Sequence, residues 1–226
     1  MERLSIASFL AHGHEFHLYA YEEIENAPEG TVTMPAEEIL PRSRIFQYKK
    51  FPSHAGFSNF FRYRLLLIRG GWWVDTDVVC LKPFHFEQPY VFASERVKDG
   101  AVPTTAVMKA PAGSELMESN WQVCADHPDP SNVVWGEHGP KLMAKGISKF
   151  GLDSFLCEAE VFCPLAWDES EAFVQEGDPD AFGEKTRAVH LWNEMWRRGG
   201  RDKDGSYAPE SLYERLKQRY LPQCLN

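Results

Sequence analysis

The chain has 226 residues, enough for one domain with a full hydrophobic core. Its 33 acidic and 24 basic residues give a formal net charge of −9, which argues against nucleic acid or an anionic membrane surface as a partner. No signal peptide is recognised, and no apolar run approaches the roughly 20 residues of a membrane span, so we expect no integral membrane segment. Five cysteines without a CxxC pair predict free thiols and a cytoplasmic location, with peripheral membrane association left open.

Helices and strands are predicted to alternate along the chain. A helix over residues 2–12 ends at Gly13, and the alternating side chains of 14–21 indicate a strand. A loop-rich stretch follows, with a short helix at 36–40 and a brief strand at 45–48. Further elements are predicted as strands at 72–74, 90–94, 104–108, 160–164 and 187–192, and as helices at 57–69, 114–126, 141–150 and 211–220. This alternation predicts an α/β fold in which helices flank a sheet.

The strongest functional signal lies in residues 56–84. An amphipathic helix ends at Gly70-Gly71, because glycine readily adopts the left-handed conformation of a helix C-cap. The strand Trp72–Val74 then leads to Asp75 and Asp77. Since residues two apart on a strand point to the same side, the two carboxylates can converge on one hard cation such as Mg²⁺ or Mn²⁺. A bare acidic pair is a weak signal, but this one follows a strand's carboxyl end, where α/β folds bind ligands.

The motifs around this pair resemble those of glycosyltransferase family 32, which includes capsular-polysaccharide and initiating α-1,6-mannosyltransferases. Ser58-Asn59-x-x-Arg62 followed by GGWWVDTD at 70–77 is similar to the family's DxD sugar-binding region. More loosely, WGEHGP at 135–140 resembles its G-x-x-G-P segment, and HLWNEMW at 190–196 its late H-x-W-x-x-x-W. The resemblance implies one GT-A domain over residues 1–226, a Rossmann-like sandwich with a mostly parallel central sheet flanked by helices.

The same resemblance implies retaining transfer of a sugar from a nucleotide-sugar, a UDP- or GDP-sugar, to a glycan, polysaccharide or other hydroxyl acceptor. Asp75, Asp77 and Arg62 form the implied catalytic set. The two aspartates would contact the donor and a divalent cation, Mn²⁺ or Mg²⁺, and Arg62 would reach the donor's sugar or phosphates as a fixed fork. Ser58 and Asn59 complete the implied donor site with Arg62 and Asp75, although the family usually has an aspartate in place of Asn59.

Later residues complete the implied site. His190 would be a third metal ligand, or alternatively a half-buried histidine bonded to a backbone carbonyl. Glu137 and His138 would line the acceptor pocket, although Glu137 could instead cap the following helix. Trp192 and Trp196 would lie in the same pocket, where an indole stacks on a sugar or base, unless they belong to the core.

One departure from the family concerns the amino terminus. Family members usually open with a strand that holds the nucleotide, but this sequence begins with the predicted first helix, so we expect that strand to be missing. We favour a start assigned too late over loss of the strand, because loss of a central strand would leave buried backbone groups unpaired. A catalytically inactive nucleotide-sugar-binding relative is therefore one alternative. Another is a haloacid-dehalogenase-type phosphohydrolase, because residues 74–79 also resemble its D-x-D-x-V motif, but no G-D-x-x-x-D follows at the required spacing.

Overall fold

A computed structural model describes residues 1–221 of the protein. Its α-helices are α1 (Glu2–Ala11), α2 (Ala55–Arg69), α3 (Glu115–Ala125), α4 (Leu142–Lys149), α5 (Ala159–Phe162), α6 (Asn193–Arg198) and α7 (Leu212–Tyr220). Its strands are β1 (His17–Ala20), β2 (Val32–Pro35), β3 (Gly71–Val74), β4 (Val78–Cys80), β5 (Val91–Val97), β6 (Gly100–Ala110) and β7 (Ala188–His190). The mixed α/β class predicted from the sequence is confirmed.

The strands are mostly antiparallel, which corrects the predicted, mostly parallel central sheet. Among residues 1–221, β1 and β2 form the only parallel pair of named strands. β6 lies between β3 and β5 in an antiparallel sheet, and β4 pairs antiparallel with β7. The antiparallel pairing of β5 with β6 follows from the short connection between them. Only two residues separate Val97 from its partner Gly100, and a hairpin this tight requires antiparallel strands.

Gly70 makes the sharp turn from α2 into β3. Its backbone has φ 65° and ψ −162°, a conformation that is essentially restricted to glycine. A Cβ at this position would collide with the backbone nitrogen of Ala112. The predicted stop at Gly70-Gly71 is therefore confirmed, and it directs β3 antiparallel along β6, with Gly71 opposite Ala110.

Two predicted strands are wrong, because local hydrogen bonds satisfy their backbone groups. In α5, the amide of Val161 donates to the carbonyl of Glu158, and the amide of Cys163 to that of Ala159, so this segment is one helical turn. Residues 45–48 form no strand, since the amide of Tyr48 donates to the carbonyl of Ser53 in a loop.

Helix α1 covers the edge of β4 that faces away from β7. The Ser5 hydroxyl donates to the carbonyl of Val78 at 2.6 Å, and the amide of Cys80 donates to the Ser8 hydroxyl at 2.8 Å. Both serines are fully buried. Their hydroxyls therefore pair β4 backbone groups that would otherwise be buried without partners.

Two composition-based predictions can be compared with the structure. Within residues 1–221, no helix combines the length and the apolar character needed to cross a bilayer. The four described cysteines, Cys80, Cys124, Cys157 and Cys163, are free thiols as predicted, whereas Cys224 lies outside the described residues. The cytoplasmic location itself stays a prediction.

Candidate active site

A cavity of about 1310 Å³ lies beside the end of β3. Its wall contains all the residues that the sequence singled out as metal or donor ligands, and Trp192 from the predicted acceptor pocket: Ser58, Asn59, Arg62, Asp75, Asp77, His190 and Trp192. The α2 helix supplies the first three, and the aspartates come from the segment between β3 and β4. The structure therefore brings the predicted metal and donor residues to one cavity.

The pairing of β4 with β7 brings His190 to the aspartate pair. His190 lies opposite Val78, and the amide of Leu191 donates to the carbonyl of Asp77 at 2.8 Å. The ring Nε2 of His190 lies 3.3 Å from Oδ2 of Asp77, and that oxygen also accepts a hydrogen bond from the amide of Asn193 at 2.9 Å. The histidine is buried beside a carboxylate, rather than bonded to a backbone carbonyl.

The cluster fits a divalent cation. One ligand atom from each of Asp75, Asp77 and His190 lies within 4.8 Å of the others. Carboxylate oxygens and an imidazole nitrogen form a donor set that suits Mn²⁺. Nε2 of His190, 3.3 Å from Oδ2 of Asp77, is the ring nitrogen placed to share a cation with that carboxylate.

The charged groups of the cluster shift one another's pKa values. Burial raises the pKa of Asp75, and the Asp77 charge adds to this rise, while the Arg62 guanidinium opposes it. Burial also raises the pKa of Asp77, but His190 outweighs that effect and holds it below its ordinary value. Burial lowers the pKa of His190, yet the Asp77 carboxylate raises it well above the ordinary range. Asp77 is therefore ionised, the form that a hard cation requires.

Arg62 is 4% exposed, and its guanidinium fork is occupied by protein atoms. Nη1 donates to the carbonyl of Thr105 at 2.6 Å, and Nη2 donates to the hydroxyl of Ser58 at 2.7 Å. Nη2 also lies 3.1 Å from Oδ1 of Asp75, an oxygen that accepts a further hydrogen bond from the Trp73 indole at 2.7 Å. Arg62 therefore fixes the carboxylate of Asp75 and is not a flexible surface cation.

Asn59 forms part of the cavity wall and supports the turn that follows Gly136. Its amide lies so close to Gly139 that a Cβ there would be 3.2 Å from Nδ2 of Asn59. Its Oδ1 lies 3.5 Å from the hydroxyl of Thr105. Asn59 is 6% exposed, so it presents only a small surface to the cavity.

The structure corrects the predicted placement of Glu137 and His138 in the acceptor pocket. Neither residue lines the cavity. The Glu137 carboxylate turns back to accept a hydrogen bond from the amide of Val134, in the loop before the helical turn, and it caps neither this turn nor the helix that follows. His138 is 4% exposed and packs against Phe60 at 5.5 Å between ring centroids, because the irregular turn at Glu137–Lys141 directs it into the core.

The two late tryptophans have different surroundings. Trp192 lines the cavity, and its indole lies 4.0 Å from the His190 ring between centroids. Trp196 is fully buried and packs on Tyr213 and Phe173, so its predicted place in the acceptor pocket is corrected to the core. Trp192 has a left-handed backbone conformation, with φ 57°, and lies just before the first residue of α6. The side chains of Trp192 and Trp196 therefore point in different directions.

Three further cavity residues were missed by sequence reasoning. Glu95 of β5 lies in the cavity wall, where burial raises its pKa and His190 lowers it. Trp135 and Trp167 also line the cavity and are exposed. Trp135 begins the WGEHGP segment, which could have drawn attention to it, but no sequence pattern marks Glu95 or Trp167.

Comparisons with known proteins find similarity to glycosyltransferases. Residues 16–98 match the family described as the glycosyltransferase sugar-binding region containing DXD motif. The chain is 23% identical over 167 residues to a human alpha-1,4-N-acetylglucosaminyltransferase, a match that covers 68% of this chain and 46% of that protein. The chain thus spans less than half the length of this curated relative.

A solved structure, "PaToxG Glycosyltransferase", is similar with a TM-score of 0.49 and 13% identity over 68% of this chain and 65% of that one. The predicted class is confirmed by the sequence match: residues 16–98 carry a DXD-type glycosyltransferase region. Membership of family 32 in particular stays a prediction.

Proposed function

We propose that the protein is a metal-dependent, retaining glycosyltransferase with a GT-A-type domain, which transfers a sugar from a nucleotide-sugar to a glycan. The observation that carries the proposal is the convergence of Asp75, Asp77 and His190 on one large cavity. His190 lies outside the matched residues 16–98, so its place beside Asp77 is support independent of the family match.

In this proposal Asp75, Asp77 and His190 hold the cation, Mn²⁺ or Mg²⁺. When bound, the cation supplies Lewis-acid stabilisation of the diphosphate that leaves with the nucleotide. Arg62 is the positioning residue, because its hydrogen bonds and ion pair keep the carboxylate of Asp75 in place. Ser58 is half-buried on the same face of α2 and offers a hydroxyl to the donor.

The donor is a UDP- or GDP-sugar in this proposal, and the acceptor is a glycan hydroxyl. The human relative's name makes an N-acetylglucosamine donor the first candidate. Retention, which rests on the resemblance to family 32, is tested by the anomeric configuration of the product, measured by nuclear magnetic resonance. A product with the inverted configuration would remove this part of the proposal.

The decisive experiment is a mass-spectrometric binding screen of UDP- and GDP-sugars, followed by hydrolysis assays with Mn²⁺ and with a chelator. A parallel assay with p-nitrophenyl phosphate tests for phosphohydrolase activity. We expect at least one nucleotide-sugar to bind and to be hydrolysed only with the metal. Hydrolysis of p-nitrophenyl phosphate without hydrolysis of any nucleotide-sugar would favour the phosphohydrolase. Binding of a nucleotide-sugar without its hydrolysis would favour an inactive relative.

A further inference from the structure

Two tryptophans are exposed to solvent inside the same cavity. The indoles of Trp135 and Trp167 are 39% and 45% exposed, and both line the cavity wall. The other large hydrophobic side chains that are exposed within residues 1–221 are all aliphatic. Because burial of an indole is favourable, folding alone does not explain why two of them remain open at one site.

Trp135 is held as a rigid platform. Its ring lies 5.6 Å from that of Tyr48 and 5.3 Å from that of Phe51 between centroids. The guanidinium carbon of Arg198 lies 5.1 Å from its ring centre, and Nε of Arg198 donates to Oε1 of Glu194 at 2.8 Å. Packed against two rings and under the guanidinium of Arg198, this indole is fixed before any ligand binds.

A third tryptophan lies between the metal cluster and the segment that carries Trp167. Trp192 lies on the His190 ring, and its indole Nε1 donates to the carbonyl of Leu165 at 2.9 Å, two residues before Trp167. The next amide along the chain, that of Asn193, donates to Asp77. Trp192 therefore lies next to the proposed reaction centre, in the wall of the cavity that Trp135 and Trp167 also line.

We propose that Trp135, Trp167 and Trp192, here called the aromatic rim, bind the acceptor glycan, an inference that rests on the proposed function. A pyranose has C–H groups on its faces, which pack on an indole, and hydroxyls around its edge, for which Glu194 and Arg198 supply hydrogen-bonding groups in the same cavity wall. The three tryptophans lie on three separate segments. Successive sugar rings can use several stacking surfaces, whereas a nucleotide donor has only one base.

The test compares the wild-type protein with Trp135→Ala, Trp167→Ala and the double variant. Binding is measured on an array of oligosaccharides ending in galactose, glucose, mannose or N-acetylglucosamine, and donor affinity is measured by calorimetry. Val134→Ala is the matched control, because Val134 is 60% exposed beside Trp135 but does not line the cavity. Melting curves test whether each variant is folded. If the double variant is unfolded, Trp167→Ala is used alone, because Trp167 is exposed at the first position of a short 3-10 helix.

We expect the double variant to bind glycans about tenfold more weakly, while its donor dissociation constant changes less than about threefold. An equal loss of donor affinity would overturn the proposal and assign the rim to the nucleobase. Unchanged glycan binding in the double variant would also overturn it. If the wild type hydrolyses a nucleotide-sugar but binds no array glycan, the aromatic rim proposal fails and the proposed function stands.

Discussion

The carboxylate of Asp77 is the centre of the proposed metal site, because it contacts both His190 and the amide of Asn193. We expect Asp77→Asn to abolish metal-dependent donor binding and to leave the fold intact. An amide keeps the size and one acceptor oxygen of the side chain but supplies no charge for a hard cation. Calorimetric titration of the donor with and without Mn²⁺ measures the effect.

A matched control is Asp99→Asn, which removes the same charge at an exposed position outside the cavity. This variant should bind donor and Mn²⁺ like the wild type. Retained Mn²⁺-dependent binding or hydrolysis in Asp77→Asn would show that the carboxylate is not a metal ligand.

Arg62 and Arg69 lie on the same helix but in different environments. The buried Arg62 holds Asp75, whereas the side chain of Arg69 is 50% exposed and pairs with Glu38. We expect Arg62→Ala to lower the free energy of unfolding by about 3 kcal/mol, because it removes the cation beside the partly buried Asp75 carboxylate and the donor to the buried carbonyl of Thr105. Arg69→Ala should cost less than about 1 kcal/mol. Urea denaturation measures both changes.

Donor affinity should also fall in Arg62→Ala, since Asp75 is no longer fixed. The resemblance implied a role for Arg62 at the donor alone, whereas its burial predicts that both donor binding and stability change. Unfolding that matches the wild type would contradict the structural role assigned to its hydrogen bonds.

At the scale of elements, the contact between α1 and β4 depends on two serines. Replacing Ser8 with alanine removes the acceptor of the Cys80 amide, which is then buried without a partner. We expect Ser8→Ala to lower the free energy of unfolding by about 2 kcal/mol, despite the higher helix propensity of alanine.

Ser148→Ala is the control for this helix substitution, because Ser148 lies on α4 and is exposed. It should change the free energy of unfolding by no more than about 0.5 kcal/mol. If urea denaturation gives equal stabilities for the two variants, the serine contacts of α1 do not stabilise the edge of β4.

At the scale of the whole molecule, the cavity wall joins segments from Phe9 to Arg198, so the complete site exists only in the folded state. A ligand that binds only this state stabilises it by about 2.7 kcal/mol at a concentration of one hundred times its Kd. We expect Mn²⁺ with a bound donor nucleotide to raise the Tm by roughly 5–10 °C. Either ligand alone should give a smaller shift.

Differential scanning fluorimetry with UDP, GDP and their sugars measures this shift, and a chelator should remove the metal-dependent part. The Asp77→Asn variant should show no metal-dependent shift. A shift that is equal with and without the chelator would contradict coupling between the cation and the nucleotide.

Local patterns were sufficient to predict the centre of this protein. The amphipathic period of α2, the glycine pair at 70–71 and the short strand before Asp75 are all properties of neighbouring residues. Apolar spacing and the conformational range of glycine depend on a few consecutive positions, so the sequence expresses them directly. The DxD pair could therefore be placed at the end of a strand without knowledge of the fold.

Only the tertiary structure decided which distant residues join that pair. His190 reaches Asp77 because β7 pairs with β4, and pairing between distant strands is set by packing and register rather than by local pattern. The same packing placed Trp196 in the core and left Trp135 and Trp167 open in the cavity. Tryptophan has the same local signal in each place, and its burial depends on which surfaces the folded chain brings against it.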